Sequence, residues 1–144
     1  ILVGAFGVDE DDVRMVMAHS STMIGTDGLD RGSKPHPRAW GTYPRVLGKY
    51  VREEGVISLE NAIYKMTHMP ATKFGIANRG LVKEGYFADL VLFDPDTVID
   101  RATYEDSRVA PEGIPHVIVN GKFAVKNGEL AGSRSGRALR RDQI

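Results

Sequence analysis

The apolar residues of the chain are spaced in two different ways, and the spacing changes near residue 78. In the first part they recur every three or four residues, which is typical of helices that bury one face. In the second part, short apolar runs are bounded by turn residues, which is typical of strands. The helical stripes are Val13, Val16 and Met17; Val46, Leu47, Tyr50 and Val51; and Leu59, Ala62, Ile63 and Met66.

Capping residues and helix breakers set the predicted limits of these helices, because they satisfy or interrupt terminal backbone groups. Residues 29–40, rich in Gly, Pro and basic side chains, are predicted to form a loop between the first two helices. The predicted starts are Asp9, Pro44 with Thr42 as its cap, and Ser58; the predicted ends are His19, Gly55 and Pro70, which precedes a short helical turn ending at Gly75.

The first helix lies between two short apolar runs, residues 1–6 and 22–24. A strand, helix, strand order of this size implies parallel strands. The second run leads directly into Gly25-Thr26-Asp27-Gly28, so Asp27 follows the C-terminal end of a predicted strand. A carboxylate at that end of a parallel barrel can move a proton between a water molecule and a leaving group. Thr-Asp-Gly is also an ordinary turn sequence, and that alternative stays open.

Two apolar segments of the second part are predicted to form strands. Residues 88–93 form a short run that a Pro-containing turn closes. Residues 117–125 contain Asn120-Gly121 between two apolar triplets. This pair favours a tight hairpin turn in which both residues have positive φ, so a hairpin is predicted there.

Composition narrows the classes of partner. The chain has 42% apolar residues, 26% charged residues and no net charge, so it lacks a bulk attraction to nucleic acid or to anionic membranes. The Arg-rich segment after residue 132 has no aromatic side chains for base stacking. No apolar run approaches the roughly 18 residues of a membrane span. From the charge balance and the short apolar runs, we expect neither nucleic-acid nor membrane partners. The absence of cysteine fits a reducing compartment, so we expect a cytoplasmic protein.

The histidines do not form a metal-binding pattern. They stand at positions 19, 36, 68 and 116, with neither an H-x-H pair nor an H-x-x-x-H pair among them. A catalytic zinc commonly takes three protein ligands that converge, together with a water molecule. We therefore predict no metal ligands within this chain.

Four segments together resemble the N-acyl-D-amino-acid deacylases, or D-aminoacylases, of the metal-dependent amidohydrolase superfamily. They are residues 35–53 (PHPRAWGTYPRVLGKYVRE), 69–76 (MPATKFGI), 80–94 (GLVKEGYFADLVLFD) and 117–121 (VIVNG). The resemblance is to the C-terminal portion of such enzymes and implies an α/β fold. Residues 1–78 would form the last strand-helix units of a TIM-like (β/α)8 barrel. Residues 79–144 would form part of a small composite β-sandwich, followed by an Arg-rich tail.

Length agrees with a portion of an enzyme, because a complete barrel needs about 250 residues and this chain has 144. The chain also begins with Ile1 rather than methionine. We therefore expect a fragment that lacks the N-terminal part of the barrel and is inactive when isolated.

The resemblance also implies roles for individual residues. Asp27 matches the catalytic aspartate that follows the last barrel strand, and it would carry a proton from a zinc-bound water to the departing amine. Arg38 would bind the free carboxylate of the substrate through two parallel hydrogen bonds. His36 would line the same pocket. The zinc ligands would lie upstream of this chain.

Simpler interpretations of these side chains remain open. Arg38 can be a surface arginine that fixes a loop. His36 can be a loop histidine that is hydrogen-bonded to the backbone. Arg45, within the same motif, can pair with a carboxylate from its place on a helix.

The function implied by the resemblance is hydrolysis of small N-acyl-D-amino acids to a D-amino acid and a carboxylate. A cyclic-amide hydrolase, such as a hydantoinase or dihydropyrimidinase, is an alternative within the same superfamily. A non-catalytic scaffold that retains the β-domain without a metal site is an alternative from a different class.

Overall fold

The computed structural model describes residues 7–139. The predicted strand over residues 1–6 and the end of the Arg-rich tail lie outside this range. The helices are α1 (Glu10–Ala18), α2 (Arg38–Arg45), a π-helix (Val46–Glu53), α3 (Leu59–Met66) and α4 (His68–Lys73). The strands are β1 (Leu90–Leu92), β2 (His116–Val119), β3 (Lys122–Lys126) and β4 (Glu129–Leu130). The helices precede residue 78 and the strands follow it, as the pattern predicts.

Two predicted helix starts are confirmed by their capping bonds. The Asp9 carboxylate accepts from the Asp11 N–H at 2.8 Å, and the Ser58 hydroxyl accepts from the Asn61 N–H at 3.2 Å. Each bond satisfies a donor that has no partner within its helix. The end predicted at Gly55 is also confirmed, since this residue has φ +62°.

The predicted start of the second helix is wrong. The helix begins at Arg38, directly after Pro37, so the predicted loop over residues 29–40 is shorter by three residues. Pro44 lies inside the last turn of α2 instead of its first turn. Proline has no N–H to donate to the carbonyl of the preceding turn, and wider π-turns begin two residues later, at Val46.

The break predicted at Pro70 lies earlier, at Thr67, whose φ of −128° and ψ of −81° separate α3 from α4. Pro70 falls in the first turn of α4. A helix tolerates proline there because the first N–H groups have no partner within the helix.

Within residues 7–139, no strand ladder includes residues 22–24, so the strand predicted there has no partner among the described residues. A strand needs a neighbouring strand for its hydrogen bonds, and the predicted neighbour, residues 1–6, is not described. The Ile24 N–H instead donates to the carbonyl of Lys65 at 3.2 Å.

The described sheet has the order β1-β2-β3-β4, and all its pairs are antiparallel. The hairpin predicted at Asn120-Gly121 is confirmed, with φ of 48° and 79° at the two turn residues. A second turn of the same kind, Asn127-Gly128, joins β3 to β4 with φ of 54° and 81°. This turn was not predicted, although the same residue pair marks it.

The hydrophobic core joins the helices to the chain that follows β1. Gly48 of the π-helix permits a close approach, because a Cβ there would lie 2.7 Å from the Val98 carbonyl oxygen. Within the predicted stripe of α1, Val13 and Met17 pack against the core, but Val16 is exposed. The buried cluster consists of Val46, Leu47, Tyr50, Ile57, Ala62 and Val98.

Across residues 7–139, no helix has the length and apolar character that crossing a membrane requires.

Candidate functional site

A cavity of about 620 Å³ is bordered by α2, the start of the π-helix and residues 100–105. His36 and Arg38 line it on the side of α2, and Asp100 and Tyr104 line it on the side of residues 100–105. Both predicted substrate-binding residues therefore face one cavity. Its size falls within the range of small-molecule sites.

Asp27 lies beside this cavity on a tight loop. Its φ of 45° is unusual for a residue other than glycine. The following Gly28 is needed for close packing, since a Cβ on it would lie 2.7 Å from the Ala39 Cα. The loop therefore approaches the first turn of α2 closely, and the Asp27 side chain stays 83% exposed.

The Asp27 carboxylate forms an ion pair with the Arg38 guanidinium, with 2.7 Å between Oδ2 and Nη2. Both side chains are accessible to solvent, so the pair adds little to folding stability. The structure thus brings the predicted proton carrier and the predicted carboxylate-binding group into direct contact. The contact is exchangeable, because another carboxylate can replace that of Asp27 on the exposed guanidinium.

Two threonine hydroxyls fix the backbone on which this pair depends. Both the Thr26 and the Thr42 hydroxyl donate to the carbonyl oxygen of Arg38, at 3.1 Å and 2.8 Å. The Thr42 hydroxyl also lies 3.3 Å from that of Thr26. These bonds connect the Asp27 loop to the first turn of α2.

His36 uses both ring nitrogens. Its Nδ1 accepts from the Arg38 N–H at 3.0 Å, as the backbone-bonded interpretation anticipates, and its Nε2 lies 3.0 Å from the Tyr104 Oη. Burial and the nearby Arg38 charge hold the pKa of His36 below its ordinary value, although Asp27 acts in the opposite direction. The imidazole is therefore neutral at pH 7.

Arg45 pairs with a carboxylate, as its position on a helix suggested. Its Nη1 lies 3.3 Å from Oδ2 of Asp100, which is mostly buried. Burial of Arg45 opposes its charge, but Asp100 and a hydrogen bond to Tyr50 outweigh this and raise the pKa of Arg45.

Residues 100–108 were not among the predicted site residues. Arg108 connects them to the loop before α2, since it binds the Asp30 carboxylate and the carbonyl oxygens of Gly32 and Ser33. These partners lie 75 to 78 residues away in sequence. No local pattern signals a contact over such a distance, so only the fold identifies Tyr104 as part of the cavity wall.

The described residues contain no group of three His, Cys, Asp or Glu side chains that could hold a metal ion. His36 is hydrogen-bonded to Arg38 and Tyr104, and Asp27 forms an ion pair with Arg38. Residues 7–139 therefore do not offer the three converging donors that a catalytic zinc commonly takes.

Comparisons with known proteins agree on one family. The amidohydrolase family model matches residues 12–125. The D-aminoacylase of Alcaligenes xylosoxydans xylosoxydans is 49% identical over 136 residues, which are 94% of this chain and 28% of that protein. A crystal structure of D-aminoacylase matches with a TM-score of 0.88 at 50% identity, over 91% of this chain and 28% of that one.

A second solved structure is the N-acyl-D-glutamate deacylase from Bordetella bronchiseptica, in complex with zinc and a phosphonate that mimics the tetrahedral intermediate. It matches with a TM-score of 0.81 at 46% identity, over 87% of this chain and 27% of that one. A dihydroorotase of Lactobacillus johnsonii matches over 46 residues, at 46% identity.

This chain thus spans little more than a quarter of the length of the deacylases it matches. The match to these relatives nevertheless extends over nearly all of the chain. The family model includes the Asp27 loop, α2 and the strands β1 and β2. The chain belongs to the amidohydrolase family.

Proposed function

We propose that this chain is the C-terminal part of a metal-dependent deacylase that hydrolyses N-acyl-D-amino acids to a D-amino acid and a carboxylate. One observation carries the proposal: Asp27 and Arg38 are in contact beside a cavity of about 620 Å³. They provide a proton carrier and a carboxylate-binding group side by side. These are the two functions that an acyl-amino-acid substrate requires of this part of the site.

Arg38 is assigned to the substrate carboxylate. A guanidinium offers two parallel N–H donors that match the two oxygens of a carboxylate. Because Asp27 is its present partner and both side chains are exposed, exchange for a substrate carboxylate costs little. The exchange also releases the Asp27 carboxylate for proton transfer.

Asp27 is assigned to proton transfer. As water adds to the amide carbon, the carboxylate takes a proton from it. It then gives this proton to the amine nitrogen as the C–N bond breaks, so the products are the free amine and a carboxylate. In the complete enzyme, zinc would supply an activated water, and its ligands would come from chain segments outside residues 7–139.

We also propose the architecture that this activity implies. Residues 1–78 would complete the last strand-helix units of a TIM-like barrel whose N-terminal part lies outside this sequence. Residues 79–144 would contribute the antiparallel strands of a composite β-sandwich and an Arg-rich tail. We also propose a cytoplasmic location, with which the absence of cysteine from these 144 residues agrees.

A cyclic-amide hydrolase is the second candidate, favoured by the short resemblance to a dihydroorotase. The two candidates differ in substrate, so a panel of N-acetyl-D-amino acids, N-acetyl-L-amino acids and cyclic amides separates them. The deacylase proposal requires D-selective hydrolysis of the open-chain substrates by the complete protein with zinc. Turnover of cyclic amides alone would replace it with the second candidate.

The decisive variant is Asp27→Asn in the complete protein, which removes the charge and the proton acceptor but keeps the size of the side chain. We expect kcat to fall by about 10² to 10⁴, the usual contribution of general acid-base catalysis. Asp96→Asn, which changes an exposed carboxylate in the turn after β1, is the matched control and should leave kcat unchanged. Equal rates for the two variants would remove Asp27 from the mechanism.

A further inference from the structure

The cavity wall opposite α2 comes from a part of the chain that lies far from Asp27 in sequence. Residues 100–108 are attached at both ends, through the Asp100–Arg45 pair and through the bonds of Arg108 to the loop before α2. Tyr104 lies between these two attachments. Its ring meets the His36 ring edge-on, with 5.1 Å between centroids and 76° between planes.

The hydrogen bonds of His36 determine its tautomer. Nδ1 accepts the Arg38 N–H, so this nitrogen carries no proton of its own. A neutral imidazole then has its proton on Nε2, which donates to the Tyr104 Oη at 3.0 Å. The lowered pKa of His36 agrees with a neutral ring. The Tyr104 hydroxyl therefore fixes the ring nitrogen that is not bound to α2.

His36 also caps the N-terminus of α2. The residue before α2 is Pro37, which forms no side-chain capping bond. The first N–H groups of a helix have no partner within it, and here the imidazole supplies one for Arg38. The orientation of this ring thus sets the backbone from which the guanidinium extends.

We propose that Tyr104 is a positioning residue for substrate binding, which acts through His36 to place Arg38 for the substrate carboxylate. The inference rests on the proposed function and deepens it. It assigns part of the recognition of the substrate to residues 100–108, beyond the segment that carries Asp27. Tyr104 itself takes no part in proton transfer.

The test uses Tyr104→Phe in the complete zinc-containing protein, because this change removes the hydroxyl and keeps the ring. We expect KM for an N-acetyl-D-amino acid to rise roughly fivefold, the equivalent of one neutral hydrogen bond, with kcat unchanged. For the corresponding carboxamide, which lacks the carboxylate, KM should not change. Combined with Arg38→Lys, the Tyr104 substitution should have no further effect. Tyr43→Phe, on the exposed side of α2, is the matched control and should behave as wild type.

Equal effects on the acid and the carboxamide would overturn the inference, because a merely structural role does not distinguish them. A second readout does not depend on activity. Long-range ¹H–¹⁵N NMR of the His36 imidazole should show the proton on Nε2 in the wild type and a mixture of tautomers in Tyr104→Phe. The mixture is expected because a ring without the Tyr104 bond can turn away from the Arg38 N–H, whose bond keeps the proton off Nδ1. If the wild-type proton is on Nδ1, or if the Tyr104→Phe protein keeps it on Nε2 alone, the inference fails. A complete protein without deacylase activity would refute the proposed function. The imidazole spectra alone would then test whether Tyr104 orients His36.

Discussion

Lys65 is the most completely buried charged side chain in the described chain, with 1% of its surface exposed. Its ammonium donates to the carbonyl oxygens of His19 and Thr22 and to the Thr22 hydroxyl. Its own carbonyl accepts the Ile24 N–H. This one residue of α3 therefore binds the end of α1 and the segment that leads to Asp27.

Lys65→Met tests this role, because methionine keeps the apolar stem and removes the charge. The Thr22 carbonyl would lose the ammonium as its donor, and the His19 carbonyl would keep only its bonds from Thr22. We therefore expect the free energy of unfolding to fall by about 1–3 kcal/mol. Urea unfolding of the chain measures the change. Lys73→Met, at the exposed end of α4, is the control and should have no effect. Equal stabilities for the two variants would contradict a structural role for the buried ammonium.

How far sequence predicts the site depends on the distance between partners. Asp27, His36 and Arg38 were recognisable because they lie within twelve residues of one another, in motifs that resemble a known family. The structural role of Lys65 was not recognisable, because lysine is usually exposed and the acceptors of Lys65 lie 43 to 46 residues away in sequence. Tyr104 was missed for the same reason, as its contact with His36 spans 68 residues.

At the level of elements, local signals predicted turns and caps better than helix interiors. Asp9, Ser58 and Asn120-Gly121 act within a few residues of their own position, so their effects follow from sequence alone. The π-helix did not follow from its apolar stripe. It begins two residues after Pro44, which lies in the last turn of α2, and its Gly48 packs closely against Val98, a contact that only the complete fold supplies.

Gly121→Ala tests the turn between β2 and β3. A Cβ there meets no atom within 4 Å, so the cost comes from the φ of +79° alone. An L side chain in this conformation costs about 1–2 kcal/mol, and we expect the free energy of unfolding to fall by that amount. Urea denaturation measures it, with Gly25→Ala as the control, since Gly25 has the same open space without a positive φ. If both substitutions have the same effect, backbone strain at the turn is not the cause.

On the scale of the whole molecule, charged side chains join α1 to the π-helix and its end. Arg14 binds Glu54 at 2.9 Å, and Lys49 binds Glu10 at the same distance. The hydrogen bond from Lys49 is the main reason that the pKa of Glu10 lies below its ordinary value. The hydrogen bond from Arg14 lowers the pKa of Glu54 in the same way. Both carboxylates are therefore more acidic in the folded chain than in the unfolded chain.

Acid should weaken the fold for this reason. A carboxylate with a lowered pKa contributes its full stabilisation above the ordinary glutamate pKa and loses it as the pH falls through the lowered value. His36, whose pKa is also lowered, adds a loss that begins as the pH falls through the ordinary histidine range. We expect the urea midpoint to fall progressively from pH 7 towards about pH 3.

Glu54→Gln is the control for this dependence. It removes one of the two acidic carboxylates of the network, so its midpoint should change less with pH in the glutamate range than that of the wild type. Parallel curves for the two proteins would show that Glu54 does not contribute to acid sensitivity.

The contact between Tyr104 and His36 also has a consequence for biosynthesis. A ribosome adds about 5 to 20 residues per second, so the 68 residues that separate the two side chains take roughly 3 to 14 seconds to make. During that interval His36 and Arg38 have already been synthesised, but the opposite wall of the cavity does not yet exist. The nascent protein thus acquires the Asp27 loop and α2 first, and the cavity gains its opposite wall only after Tyr104 has been added.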